Sequence, residues 1–266
     1  MSTICEHIVT LDIDSVTLAL GAVTRLRDVS LQVAAGQVMA VIGPNGAGKS
    51  SLIHTVIGDH RPSAGQIRLA GRAIADYLDR ERACHIALLP QASALTFPFR
   101  VRDVVLLGRG PHASGARIDA QIVEAACAAT DVTHLMDRVY TQLSGGEKQR
   151  AQLARVLAQI WRAEDAGARL LLLDEPVAAL DLGHQQQIMT KVREFPGDGV
   201  AVVIVLHDIT LAARHADRML ALRDGAVIAQ GTPAEVVTPA HLQRLFDIEA
   251  RVIAHPVSGT PVVLHA

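Results

Sequence analysis

Aromatic residues, paired cysteines and long apolar runs are all scarce in this chain of 266 residues. The three cysteines, Cys5, Cys84 and Cys127, lie far apart and form no C-x-x-C pair, which excludes a disulfide framework and predicts reduced thiols in a cytosolic protein. No apolar run approaches the ~18 residues of a membrane-spanning helix, so any membrane span is expected in another chain. The formal net charge of −2 gives no electrostatic case for binding nucleic acid.

What the chain has instead is short apolar runs with regular spacing, and half of its residues are apolar, which predicts a large core. We expect strands within residues 8–34, strands and helices over 37–90, a mostly helical region at 92–160 with helices at 101–109, 119–130 and 144–160, strands alternating with helices over 168–223, a strand at 226–229 and a helix at 239–246. Loops are expected at 111–116, 163–167 and 195–199, where Gly, Pro and small or polar residues cluster.

A glycine-rich segment follows a buried strand at residues 38–42. Residues 43–50 read Gly-Pro-Asn-Gly-Ala-Gly-Lys-Ser, which fits the phosphate-binding pattern G-x-x-x-x-G-K-[ST]. The glycines let backbone N–H groups converge on one anion, and the following helix adds partial positive charge at its N-terminus. Lys49 is expected to reach the β- and γ-phosphates of a nucleotide, and the Ser50 hydroxyl to bind Mg²⁺. The expected phosphate contacts are Gly43, Pro44, Asn45, Gly46, Ala47, Gly48, Lys49, Ser50 and Ser51.

A second motif, Leu-Ser-Gly-Gly-Glu-Lys-Gln-Arg, occupies residues 143–150. Ser144 and Glu147 fit a capping box, S-x-x-E, so the plainer interpretation is an ordinary helix start. Apolar residues at three- and four-residue spacing follow, which predicts a helix with one buried face. A glycine-flanked helix start also leaves N–H groups free to point at an anion, so the two interpretations are compatible.

Two later apolar runs end in polar residues. Residues 170–173 are all leucine and lead into Asp174 and Glu175, and residues 202–206 lead into His207. Such runs suit strands that are buried on both faces of a parallel sheet. Ligands of open α/β sheets bind beyond the carboxyl ends of the strands, which favours a functional site over solvated acids or a structural histidine.

In this order, the four motifs resemble those of the ATP-binding subunit of an ABC transporter. The resemblance covers nearly the whole chain and implies an α/β fold. It implies an ABC-type P-loop NTPase core with an antiparallel β lobe and a helical lobe inserted at residues 92–160, all within one domain over residues 1–266. It also implies that ATP and Mg²⁺ are bound, with two nucleotides sandwiched between two copies of the chain.

The resemblance further implies a role for each polar residue of these motifs. The expected catalytic residues are Lys49, Glu175 and His207, and the expected Mg²⁺ ligands are Ser50, Gln91 and Asp174. The residues expected to act on the nucleotide of the other copy are Ser144, Gly145, Gly146, Glu147 and Asp181. Among the catalytic residues, Glu175 is expected to orient and polarise the attacking water, and His207 to contact both Glu175 and the γ-phosphate.

The sequence departs from the family at the adenine site. The family places an aromatic ring in the strand before the phosphate loop, where it stacks on the base. Residues 16–20 read Val-Thr-Leu-Ala-Leu and contain no ring. We therefore expect Leu18 to pack on the base, with weak recognition of adenine and competition from other nucleoside triphosphates, because a stacked ring contributes about 0.5–1.5 kcal/mol.

Two stretches resemble the importers of iron chelates, haem and cobalamin. Residues 97–109 resemble the segment that grips the membrane partner, and residues 153–161 resemble the haem-import branch in particular. The resemblance implies an ATPase that powers haem (hemin) uptake with two transmembrane permease subunits and, indirectly, a periplasmic or extracellular binding protein. It implies a peripheral position on the cytoplasmic face of the inner membrane. Packing of Phe97, Phe99 and Trp161 is the alternative explanation of both stretches.

Other functions stay open at this point. One is the ATPase of a ferric-siderophore or cobalamin importer, and another is a soluble ABC-type assembly factor, such as an iron–sulfur scaffold partner. A DNA-repair or ribosomal ABC protein is disfavoured because the chain has neither a long coiled coil, nor a second ATPase unit, nor a basic stripe. Isolated histidines such as His112, His134 and His184 are not expected to bind haem, since cargo passes through the membrane subunits of this family.

Overall fold

The computed structural model describes residues 9–91, 95–178, 180–195 and 199–265. Cys5, residues 92–94 of the predicted helical region and residues 196–198 of a predicted loop lie outside the described residues.

The described elements alternate between strands and helices, as an α/β fold requires. The strands are β1 (Val9–Leu20), β2 (Val23–Ala34), β3 (Val38–Ile42), β4 (Ala64–Leu69), β5 (Arg72–Ala73), β6 (Ile86–Leu89), β7 (Arg169–Asp174), β8 (Val200–Val205), β9 (Arg218–Arg223), β10 (Ala226–Gly231), β11 (Ala250–Ala254) and β12 (Pro261–His265). The helices are α1 (Lys49–Val56), α2 (Asp79–His85), α3 (Val101–Leu106), α4 (Ala116–Ala129), α5 (Gly145–Gln159), α6 (Leu182–Glu194), α7 (Ile209–His215), α8 (Pro233–Val236) and α9 (Pro239–Phe246).

The largest sheet has six strands in the order β10-β9-β3-β8-β7-β6. β9, β3, β8, β7 and β6 run parallel, and β10 is antiparallel to β9. Every residue of β3, β7 and β8 is buried. β3 and β8 are accordingly apolar throughout, and β7 is apolar between Arg169 and Asp174. Alternate residues of β3 enter different cores, with Ala40 facing the helices and Val41 facing the β lobe. The two strands predicted to precede the acidic and histidine motifs are confirmed.

The predicted antiparallel β lobe is confirmed as a second, four-stranded sheet in the order β2-β1-β4-β5. Its buried residues form one core with α1 and one face of the large sheet. This packing fixes the lobe against the start of α1, where the phosphate motif ends.

The predicted helical lobe has its own core, formed by α3, α4 and part of α5. The predicted helix at 101–109 is shorter, because α3 ends at Leu106 and a 3-10 turn occupies Leu107–Arg109. A Cβ on Gly108 would collide with the carbonyl of Arg155 on α5, so this turn packs directly on the α5 backbone. The predicted helix at 119–130 begins earlier, at Ala116, because Gly115 turns the chain at a φ of 92° immediately before it.

The C-terminal hairpin of β11 and β12 and the short helix α8 were not predicted. The hairpin lies beside α7 and α9 and extends the core on the helical face of the large sheet. Within the described residues, no helix has both the length and the apolar character needed to cross a membrane.

Candidate active site

Four neighbouring parallel strands deliver the motif residues to one edge of the large sheet. β3 leads into residues 43–50, β6 leads toward Gln91, β7 ends at Asp174 and is followed by Glu175, and β8 leads to His207. Because β6, β7, β8 and β3 are adjacent and parallel, their carboxyl ends meet. These four segments, separated by up to 164 residues in the chain (from Gly43 to His207), therefore converge on one site.

A cavity of about 390 Å³ opens at this edge. It is lined by Arg25, Asn45, Gly46, Ala47, Gly48, Lys49, Ser50, Ser51, Gln91, Glu175 and His207. Seven of the nine predicted phosphate contacts, residues 45–51, thus share one cavity with the predicted glutamine and all three predicted catalytic residues, whereas Gly43 and Pro44 do not line it. The lining carries the ammonium of Lys49 near the carboxylate of Glu175. This pair of opposite charges suits a ligand that brings both anionic oxygens and a metal ion.

Lys49 is the first residue of α1 and is only 6% exposed. Its Nζ donates hydrogen bonds to the carbonyl oxygens of Gly43 and Pro44, each at 2.9 Å. Burial lowers the pKa of the Lys49 ammonium, and the nearby carboxylates of Glu175 and Asp174 raise it in opposition. The ammonium is therefore held against the loop that precedes it, close to both acids.

Asp174 supplies a buried carboxylate next to Ser50. The residue is 4% exposed, and its Oδ1 has no hydrogen-bond partner in the described part of the chain. Burial raises the pKa of the Asp174 carboxyl, while a hydrogen bond from the Ser50 side chain lowers it. A buried oxygen without a partner, beside a hydroxyl, is the donor set that a hard cation such as Mg²⁺ prefers.

Glu175 is held between two neighbouring strand ends. Its Oε2 accepts a hydrogen bond from Nε2 of Gln91 at 2.7 Å, and its Oε1 contacts Nε2 of His207. Its backbone adopts a φ of 52°, in the left-handed region that a side chain with a Cβ rarely occupies. Backbone strain of this kind concentrates at functional sites, where surrounding contacts hold it in place. The predicted contact between His207 and Glu175 is confirmed.

The motif at residues 144–147 does not line this cavity. Ser144 caps α5: its Oγ accepts from the Glu147 N–H at 3.3 Å, and the Glu147 carboxylate accepts from the Ser144 N–H at 2.7 Å. The hydrogen bond from the Ser144 N–H is the largest cause of the lowered pKa of Glu147, and the hydrogen bond with the Ser144 side chain is the second. The capping box is therefore confirmed, and Ser144 and Gly145 are exposed.

Asp181 also lies outside the cavity and caps α6. Its Oδ1 accepts a hydrogen bond from the His184 N–H at 2.9 Å, and its Oδ2 lies 2.8 Å from His184 Nδ1. The hydrogen bond from the His184 backbone is the main cause of the lowered pKa of Asp181.

His112, another histidine of the sequence, is engaged with the carbonyl oxygen of Gln159 at 2.6 Å.

The expectation that Leu18 packs on the base is wrong. Leu18 is fully buried in the core between the β lobe and the large sheet, where it pairs with Leu26 across β1 and β2. The β lobe instead contributes Arg25 to the cavity wall. No sequence motif marks Arg25, and only the alternation around buried Leu26 indicates that its side chain points away from the core.

Comparison with known proteins decides the family. The ABC transporter family pattern matches residues 26–178, which is more than half of the chain. The chain belongs to the ABC transporter family. The match spans the phosphate loop, the 144–147 motif and the acidic strand end, so the convergence seen here is that of an ABC cassette.

Two relatives resemble this ABC protein over most of its length. A protein of Gloeobacter violaceus named hemin import ATP-binding protein HmuV is 51% identical over 241 residues, covering 90% of this chain and 88% of the relative. A protein of the same name from Pseudomonas entomophila is 50% identical over 254 residues, covering 96% and 99%. A solved structure described as a metal-chelate type ABC transporter in an inward-facing conformation matches with a TM-score of 0.80 at 27% identity, covering 97% of this chain and 98% of that one.

Proposed function

We propose that this chain hydrolyses ATP to power an importer that carries haem (hemin) across the cytoplasmic membrane. The assignment of haem as the cargo rests on similarity to proteins named for hemin import, which are identical to this chain at about half of the aligned residues over nearly its full length. The observation that carries the chemistry is the single cavity that holds the phosphate loop, Glu175 and His207.

The phosphate end of the nucleotide fits the loop at residues 43–51. Backbone N–H groups of the loop and of the first turn of α1 would converge on one anion, and Lys49 would add a full positive charge beside it. When ATP enters, the Lys49 ammonium exchanges the carbonyls of Gly43 and Pro44 for the β- and γ-phosphate oxygens. We expect phosphoryl transfer at this site to depend mainly on positioning and on neutralisation of phosphate charge.

Ser50, Asp174 and Gln91 would hold Mg²⁺, and the unpartnered Oδ1 of Asp174 supports this assignment. The ion supplies charge neutralisation at the phosphate oxygens when bound. Glu175 would orient the attacking water and accept its proton, since its carboxylate is 11% exposed and fixed by two donors. His207 would hold Glu175 in place and reach the γ-phosphate.

We propose that two copies of the chain complete each site. The Glu147 amide is capped by the Ser144 side chain, whereas the amides of Gly145 and Gly146 lie too near the helix start to have an intrahelical acceptor. Ser144 and Gly145 are exposed outside the cavity of their own chain. A second copy, facing the first, would bring Ser144, Gly145, Gly146 and Glu147 to the γ-phosphate and Asp181 to the interface. Two nucleotides would then lie between two single-domain chains.

The helical lobe supplies a surface for the membrane partner. Phe97 is 66% exposed and Phe99 43% exposed, with ring centroids 6.1 Å apart, and Leu106 and Leu107 of the same segment are also exposed. Exposed aromatic and aliphatic groups in one segment favour a partner contact over packing. Trp161 instead packs against Phe195 and the core, so packing explains that residue. We propose that two permease subunits bind the Phe97 segment and hold this chain at the cytoplasmic face of the inner membrane.

The test of this proposal is a comparison of cargoes in one reconstituted system. The chain is assembled in vesicles with its candidate permease, and ATPase stimulation and uptake are measured with haem, a ferric siderophore and cobalamin, each on its matching binding protein. The proposal predicts stimulation and uptake with haem alone. Response to another cargo would retain the importer and overturn haem. Failure to assemble with any membrane subunit would favour the soluble assembly factor.

A further inference from the structure

One side chain of the cavity wall has no role in the chemistry above. Arg25 lies on β2, is exposed, and lines the cavity together with residues 45–51. Within the residues that the structure describes, its guanidinium has neither a hydrogen bond nor an ion pair. A planar cation without a partner, on the wall of a nucleotide cavity, is available to the ligand.

The position of Arg25 relative to the phosphate loop is fixed by close backbone packing. A Cβ on Gly48 would lie 2.7 Å from the Arg25 carbonyl oxygen, and a Cβ on Gly225 would lie 2.6 Å from it. The N–H of Arg27, two residues further along β2, donates to the Gly225 carbonyl at 2.8 Å. The absence of a Cβ at Gly48 and Gly225 therefore allows β2 to pack directly against the phosphate loop. This close packing fixes the position of the Arg25 backbone.

Strand order places Arg25 on the side away from the hydrolytic groups. Gly225, which touches Arg25, follows β9, and β9 is the neighbour of β3 on one side. Glu175 and His207 follow β7 and β8, on the other side of β3. If the γ-phosphate lies near Glu175 and His207, the remainder of the nucleotide extends across the loop toward β9 and β2. The base then arrives beside Arg25.

The described lining of the cavity offers the base no free ring on which to stack. Among the described residues that line it there is no Phe, Tyr or Trp, and the imidazole of His207 is engaged with Glu175. Leu18 is fully buried. The guanidinium of Arg25 is the planar group on the β2 wall, and guanidinium planes stack on flat π systems.

We propose that Arg25 is the base-contacting residue of this cavity and lays its guanidinium plane on the face of the nucleobase. This inference rests on the proposed function, because it requires a nucleoside triphosphate in the cavity. Face stacking reads no hydrogen-bond pattern and tolerates every base. The site therefore binds ATP and GTP with similar affinity, within about threefold, a difference of less than a tenfold step in Kd.

The experiment measures the affinity of the full chain for three probes by calorimetry, each with Mg²⁺: ATP, GTP and inorganic tripolyphosphate. Arg25→Ala is expected to weaken the binding of ATP and GTP by about threefold to tenfold and to leave the affinity for tripolyphosphate unchanged, because only the base contact is lost. Arg25→Tyr, which supplies a ring, restores ATP binding, whereas Arg25→Lys, which keeps charge without a plane, does not. Arg27→Ala, an exposed arginine of the same strand outside the cavity lining, is the matched control and binds as the parent does.

Three results would overturn the inference. Unchanged ATP affinity in Arg25→Ala means that Arg25 does not touch the nucleotide. An equal loss for tripolyphosphate and ATP means that Arg25 binds phosphate. An Arg25→Tyr variant as weak as Arg25→Ala excludes stacking. A parent chain that binds neither ATP nor tripolyphosphate would instead contradict the proposed function, so the two failures are distinguishable.

Discussion

Glu175 sits where hydrogen-bond donors from two other strand ends meet. Gln91 after β6 and His207 after β8 each engage one oxygen of its carboxylate. Its φ of 52° turns the chain sharply at the end of β7. These contacts fix the carboxylate at the cavity wall before any nucleotide arrives, which suits a group that must hold a water in one orientation.

We predict that Glu175→Gln binds ATP normally and hydrolyses it about 10²–10⁴-fold more slowly, because the amide keeps the shape of the side chain but accepts no proton. Phosphate release measured beside equilibrium ATP binding separates the two effects. Glu194→Gln, an exposed glutamate of α6 paired with Lys191, is the control and retains the parent rate. Parent-level turnover by Glu175→Gln would contradict this role.

At the scale of residues, the sequence predicted the side chains of the motifs well and the side chains beside the nucleobase poorly. Lys49, Ser50 and Glu175 belong to spaced patterns whose chemistry is local, and the structure brings them together. The roles proposed for them stay predictions. The prediction that Leu18 packs on the base was wrong because the sequence does not show which residue of a strand faces a cavity. Arg25 was missed because its position depends on two glycines that are distant in the chain.

At the scale of elements, α5 connects the helical lobe to the large sheet. Leu153, Val156 and Leu157 pack in the core beneath the sheet, while Ala151 and Ala154 pack in the core of the helical lobe. The helix begins at the exposed 144–147 motif. One helix therefore links both cores to the segment that we propose faces the second nucleotide.

Arg109 joins the ends of α3, α4 and α5. Its side chain is 1% exposed and donates to Asp119 at 2.9 Å, to Asp165 at 2.6 Å and to the Ala158 carbonyl at 2.8 Å. We predict that Arg109→Met lowers the free energy of unfolding by about 3 kcal/mol, because two largely buried carboxylates lose their counter-charge.

Denaturant unfolding of Arg109→Met beside Arg102→Met measures this effect. Arg102 pairs with Asp137 at an exposed position, so its loss is expected to cost about 0–1 kcal/mol. A similar small loss for both variants would contradict the role assigned to the Arg109 cluster.

The elements themselves were predicted where their apolar pattern was complete. The span of β3 and that of α9 match the expected residues 38–42 and 239–246. The early start of α4 and the 3-10 end of α3 were not predicted, because a glycine with positive φ and a close helix contact decide them. The hairpin of β11 and β12 was missed because its strands are short and partly exposed.

At the scale of the molecule, one chain holds residues 45–51, Gln91, Glu175 and His207 in one cavity, and holds Ser144 and Asp181 outside it. Asp174, the third proposed Mg²⁺ ligand, is buried and does not line the cavity. The need for a second copy followed from the family resemblance, and the exposed start of α5 supports it. Each motif occurs once in these 266 residues, which agrees with the proposal that a second chain supplies the second site. The cargo could not be derived from these residues, since none of them is proposed to touch haem.

The central claim is that ATP hydrolysis at Glu175 drives haem uptake. The most direct test measures the initial rate of haem uptake by vesicles that contain the permease. One set of vesicles carries the parent chain and the other carries Glu175→Gln. ATP is supplied on the side of the ATP-binding subunit, and assembly is verified for both. The account predicts haem accumulation with the parent chain and a loss of about 10²-fold or more with the variant. Equal uptake by the two would contradict the account.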